Sequence, residues 1–171
     1  MLDIKVEDKE VQALLTHLAK SLGDLKPVLN ALGATLLARV QLGFRTGRAP
    51  DGSTWRPLRH RSGQPLRDTG RLLRSFTYRA EAKEVIVGTN TCYAPVHQFG
   101  ATVRADQPAG KQSLCGYVTK GSPYLRWKAE GGTWHAAKQV VIPPRPFFPV
   151  NTLPPDWQAD LLSTLRQFLS R

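Results

Sequence analysis

Two cysteines, Cys92 and Cys115, and a lone methionine at the first position carry all the sulfur in 171 residues. A secreted disulfide framework needs more cysteines at closer spacing, so the sequence predicts two free thiols in a reducing cytoplasm. No run approaches the roughly 20 consecutive apolar residues of a membrane span. The opening MLDIKVEDKE also lacks the basic-then-apolar order of an export signal, and no membrane is expected among the partners. Acidic side chains are scarce: 13 stand against 24 lysines and arginines, giving a formal net charge of +11 and a pI near 10.2. That balance points to a polyanion or an acidic protein surface and away from a neutral small-molecule substrate.

Groupings that carry bond chemistry are missing too. Glu7, Asp8 and Glu10 crowd one helix start and the other acids are scattered, so neither paired carboxylates nor a nucleophile beside a base stands out. His97 is the one residue a hydrolase acting on nucleic acid or cell wall offers, and its place in APVHQFG reads as structural. Cys92, His97, Cys115 and His135 lack the close Cys-x2–4-Cys or His-x3–5-His pairs that preorganise zinc. GRAPDGST spaces Gly47 and Gly52 as a phosphate loop does, but serine stands where the lysine belongs, and no strand-loop-helix context surrounds it. The expectation is a protein that is not an enzyme, with no catalytic residues, no cofactor and no metal.

What is present is enough apolar content, 41%, for one core in a chain of this length. Val11, Leu14, Leu15, Leu18 and Leu22 recur at helical spacing up to Gly23. Asp24 is suited to cap a second helix, Pro27 fits its first turn, and Leu29, Leu32, Leu36, Val40 and Phe44 carry one face to about Gly47. Residues 47–74 read as a basic loop, in which Trp55 and Leu58 are the only large apolar side chains up to residue 65 and Trp55 is the anchor, followed by one helical turn. Residues 75–89 read as a hairpin, and YAPVHQFG as a short helix or turn. Residues 101–142 read as an inserted loop followed by a hairpin over 124–142, joined at Gly131-Gly132. IPPRPFFPV is too rich in proline for more than an edge strand, and Trp157, Leu161, Leu165 and Phe168 form one face of a last helix. The fold class expected is α+β: one domain over 1–171, with a small, mostly antiparallel sheet packed by N-terminal helices and a C-terminal helix.

The charge excess is local. Between residues 45 and 79 stand Arg45, Arg48, Arg56, Arg59, Arg61, Arg67, Arg71, Arg74 and Arg79 against Asp51 and Asp68, so +7 of the +11 lies there. Guanidinium forks pair well with phosphate and displace condensed counterions. A charge run is more often only a solvated face, and this spacing builds no recognition helix and offers no aromatic platform beyond Trp55. Any contact with DNA is therefore expected to involve the backbone, without sequence readout.

Several motifs recur in one order: FRTGRAPDGSTWRPL, then LRDTGRLLRSFTY, VIVGTN, YAPVHQFGA and, after the insertion, IPPRPFFPV. This series resembles the phage virion morphogenesis family over roughly residues 36–152 with the insertion at 101–136 left out. The matching positions are Asp51, Gly52 and Trp55; Leu66, Asp68, Thr69, Gly70 and Leu72; Gly88, Tyr93, Ala94, His97, Gln98 and Gly100; and Pro143, Arg145, Pro146 and Phe147. The segment 103–138 is longer than the family's usual link.

The resemblance implies a structural virion protein of the neck, a tail terminator or completion factor made in the host cytoplasm. It implies a ring, a hexamer, that caps the tail tube protein and meets the head-tail connector or stopper around the passing duplex DNA. Arg45, Arg48, Arg56, Arg59, Arg61, Arg67, Arg71 and Arg74 are then expected to face the channel or an axial neighbour. Trp127 and Trp134 on the inserted hairpin, with Arg145, Phe147 and Phe148, are expected at a subunit interface; for Phe147 ordinary core packing is the competing reading. The alternative function is a sequence-independent DNA-binding protein not built into a ring.

Overall fold

A helix of 21 residues organises the chain. The structure, a computed structural model, describes residues 9–22, 24–59, 62–81, 84–105, 124–128 and 131–169. Helix α1 covers Lys9–Leu22 and α2 covers Lys26–Thr46. At the start of α2 the Asp24 carboxylate accepts the Lys26 N–H at 2.9 Å, and Pro27 occupies a first-turn position that needs no donor. At its end Gly47 turns left-handed (φ 69°) and its N–H closes onto the Gly43 carbonyl at 2.8 Å. One face of α2, Val28, Leu29, Leu32, Val40 and Phe44, is buried along about 24 Å of helix.

The C-terminal helix, labelled αC here and covering Pro155–Leu169, lies along α2 and buries Trp157, Leu161 and Leu165. Arg39 on α2 ties the pair: its Nε donates to Asp160 at 2.5 Å and its Nη2 to the Asp156 carbonyl at 2.9 Å. The Asp160 hydrogen bond raises the arginine's pKa further. Two apolar clusters divide the length of α2. Val28, Leu29 and Leu32 meet Leu161 and Leu165 near its start, and Val40 and Phe44 meet Trp55, Leu72, Phe76, Phe147, Phe148 and Trp157 near its end.

Strands β1 (Phe76–Ala80) and β2 (Val85–Thr89) form the antiparallel hairpin expected at 75–89, with Phe76 opposite Thr89 and Ala80 opposite Val85. This hairpin packs on α2. The single turn Arg71–Arg74 precedes it, and the short helix Ala94–Phe99 follows it. Two further antiparallel pairs complete the described sheets: β3 (Ala101–Arg104) with β6 (Gln139–Ile142), and β4 (Leu125–Lys128) with β5 (Trp134–Ala137). The architecture is α+β, as the sequence predicts.

Three expectations change. The hairpin predicted over 124–142 is confined to β4 and β5, joined through Gly131 and Gly132 at φ 93° and 88°; β6 turns away to pair with β3. ATVR is too short to show an alternating pattern, which is why β3 was not expected. The insertion therefore hangs from a two-stranded stem. Free thiols were expected, yet Cys92 is disulfide-bonded; the chain's other cysteine, Cys115, lies outside the described residues. Lastly, Arg145, Phe147 and Phe148 are buried within the protomer, so their side chains leave no surface for a neighbour. Core packing, the competing reading for Phe147, is what the fold adopts.

Candidate functional site

The arginine loop is held from beneath by the PRPFF segment. The Trp55 indole is buried beside Phe44, edge to face at 5.3 Å, and its Nε1 donates to the Pro146 carbonyl at 2.7 Å. Arg145 reaches the same loop, donating from Nε to the Arg56 carbonyl at 2.9 Å and from Nη2 to the Pro57 carbonyl at 3.3 Å. A buried guanidinium is costly unless its donors are used. Here the cation closes backbone acceptors that a loop of this shape has no strand to satisfy.

The short helix Ala94–Phe99 supports that segment in turn. Gln98 is fully buried; its Oε1 accepts the N–H groups of Phe147 and Phe148 at 2.9 and 3.1 Å, and its Nε2 donates to the Phe148 carbonyl at 2.9 Å. The Arg145 N–H donates to the His97 carbonyl at 2.7 Å. The His97 ring stands edge-on to Tyr93, with Nδ1 buried and without a hydrogen-bond partner. Burial, and then the charge of Arg145, pull its pKa down to about 4, so the imidazole is neutral at ordinary pH. It packs as a structural group.

Above this scaffold the guanidiniums spread outward. Arg45, Arg48, Arg56, Arg59, Arg67, Arg71 and Arg74 are all exposed; Arg61 lies outside the described residues. Gln64 folds the far half of the loop back onto α2, its Nε2 capping the carbonyls of Phe44 and Arg45 at 2.9 and 3.0 Å while its Oε1 accepts from Arg67. Arg45, Arg48 and Arg67 therefore gather about the C-terminal end of α2, where the helix dipole favours positive charge. Arg71 and Arg74 stand on the turn anchored by Leu72 in the same core; Arg74 also donates to the Thr69 carbonyl at 2.7 Å. No described carboxylate forms an ion pair with any of these seven. Asp51, inside the loop, is occupied with the Ser53 hydroxyl and N–H, which lower its pKa.

Of the two tryptophans expected at an interface, Trp127 is half-buried and stacked on His135 at 5.5 Å, whereas Trp134 is 69% exposed. One feature had no signal in the sequence. An open groove of about 650 Å³ runs between α2, the turn 48–52 and the segment leading into αC. Three segments far apart in the chain build it, so no local pattern announces it.

Among the described residues no three His, Cys, Asp or Glu side chains gather as a metal site, and no helix is long and apolar enough to cross a membrane. Residues 6–153 match the phage virion morphogenesis family, a structural and morphogenetic family and not an enzyme family. The chain is also similar to the Mu-like prophage FluMu G protein 2 of Haemophilus influenzae, with 29% identity over 169 residues, covering 98% of this chain and 96% of that protein. No solved structure matches.

Proposed function

Because the chain belongs to the phage virion morphogenesis family and is thereby a virion protein, we propose that it is a tail terminator or completion protein of the neck. Copies assemble as a ring, taken as six, that caps the tail tube and joins it to the head connector or stopper around the DNA channel. The observation that carries this reading is the exposed set Arg45, Arg48, Arg56, Arg59, Arg67, Arg71 and Arg74, unpaired with described carboxylates and set around the buried core that holds Trp55 and Leu72. Such a surface suits a site where duplex DNA passes or an acidic neighbour meets the ring, without base contacts.

A six-fold ring carries +66 before counterions. Repulsion on that scale opposes assembly of free protein at low salt, so the ring forms on the tail, where an acidic partner or DNA offsets it. Electron microscopy of particles made without the protein tests the reading. Headless tails of abnormal length, or unjoined heads and tails, are expected; intact infectious virions refute it.

The same unpaired guanidiniums favour one second reading, a monomeric DNA-binding protein outside any ring. Duplex binding that weakens steeply with salt, by a protein that stays monomeric, distinguishes it.

A further inference from the structure

The groove beside α2 and the β4–β5 ribbon lie on separate parts of the protomer, and each lacks what the other offers. The ribbon is a two-stranded sheet, marginal in isolation, whose one buried strand residue is Leu125 and whose Trp134 is 69% exposed. A large aromatic held out on a ribbon marks an interaction surface, since an indole loses little side-chain entropy when it docks. The groove presents Leu153 and Leu42, the latter 45% exposed, above the buried rings of Trp157 and Phe147. No residue of the chain's own ribbon lines it. We propose that Trp134 of one copy seats in this groove of the next copy, which makes the ribbon the arm that links successive subunits. The inference rests on the ring assembly proposed above and specifies its contact.

Charge favours a second copy over nucleic acid. The exposed carboxylates of Asp51 and Asp156 stand at the groove, while Arg39 is already committed to Asp160. A phosphate backbone meets those carboxylates as like charges. The ribbon instead brings Arg126 and Lys128, with Lys138 beside it, all exposed. Arg48 also lines the groove and offsets one of the two acids, so the pocket is close to neutral and not basic like the arginine surface. Because arm and groove are different patches, the contact is heterologous, and its repetition generates a ring when the rotation closes.

The test uses tails or virions assembled with a chain carrying both Trp134→Cys and Leu42→Cys, oxidised mildly and run on non-reducing gels. A ladder of covalently linked multimers of this chain is expected, absent from the wild type and from either single variant. A chain that stays monomeric on the gel, or couples to a different virion protein, overturns the arm. A second measurement guards against disturbed folding: Trp134→Ala, at an exposed position, should keep the wild-type thermal midpoint. Its incorporation into tails should fall at least about ten-fold, the scale of truncating an interface tryptophan. Incorporation at the wild-type level also overturns the arm. Neither overturning result touches the terminator reading, which fails only if particles lacking the whole chain are intact.

Discussion

The carboxamide oxygen of Gln98 accepts the backbone N–H of Phe147, 49 positions further along the chain, at 2.9 Å in a fully buried site. The same side chain also serves both backbone polar groups of Phe148. Gln98→Ala leaves three buried backbone groups unpaired, each costing about 1–3 kcal/mol unless water enters. Urea unfolding of this variant should show a loss of at least about 3 kcal/mol with little change in the denaturant slope. A loss under about 1 kcal/mol would mean that solvent already reaches the site.

Gly33, in the middle of α2, faces the ring of Tyr78 on β1. A Cβ built there stands 2.3 Å from the Tyr78 Cδ2 and 2.8 Å from its Cγ. Alanine in a helix interior normally gains about 1 kcal/mol over glycine. Here the overlap lies at the base of a ring that cannot swing clear without moving the strand, so overpacking wins and Gly33→Ala should destabilise by about 1–3 kcal/mol. The cost should shrink when Tyr78→Ala is combined with it. A double-mutant cycle that returns additive losses would show that the helix and the hairpin do not press on each other.

How far the sequence carried follows from the range of each cause. α2 was legible because its apolar spacing, its Asp24 start and its Gly47 stop all act within a few residues. The Trp55 anchor was legible as the one aromatic side chain in a polar, arginine-rich loop. Gln98 and Arg145 were visible only as motif letters, because the backbone groups they satisfy lie 49 and 89 positions away. The stem strand β3 was hidden by its brevity, and the groove by its assembly from three remote segments. Phe147 and Phe148 misled for a related reason: proline-rich surroundings look solvent-facing until Gln98 and Arg145 are seen to draw that segment inward.

The arginine surface makes a quantitative claim about salt. Each phosphate neutralised by a guanidinium contributes about −0.9 to the slope of log affinity against log salt on duplex DNA. Replacing Arg45, Arg48 and Arg67 together by glutamine should flatten that slope by about 2–3. Because all three are exposed, the thermal midpoint should hardly move. Duplexes of unrelated sequence should bind alike. An unchanged slope would assign this cluster to a protein neighbour instead of the DNA channel.

Acid should loosen the loop through His97. The imidazole has its ordinary value of 6.5 in the unfolded chain and about 4 in the folded one, lowered first by burial and then by Arg145. As pH falls through 6.5 the unfolded state takes a proton that the folded state still refuses. The stability present above pH 6.5 is therefore lost progressively down to about pH 4, by about 3 kcal/mol in all. Asp51, whose folded pKa is lowered from 3.8, contributes only as pH drops below that range. His97→Gln should remove most of the difference between unfolding free energies measured at pH 7 and pH 4.5. The location of the loss is also specified. An imidazolium at His97 repels the guanidinium of Arg145, which holds the carbonyls of Arg56 and Pro57. Hydrogen exchange in residues 47–59 should accelerate on acidification before exchange in the buried half of α2 does. Simultaneous acceleration of both would mean that the proton unfolds the whole protein at once and that the Arg145 clamp has no separate part in it.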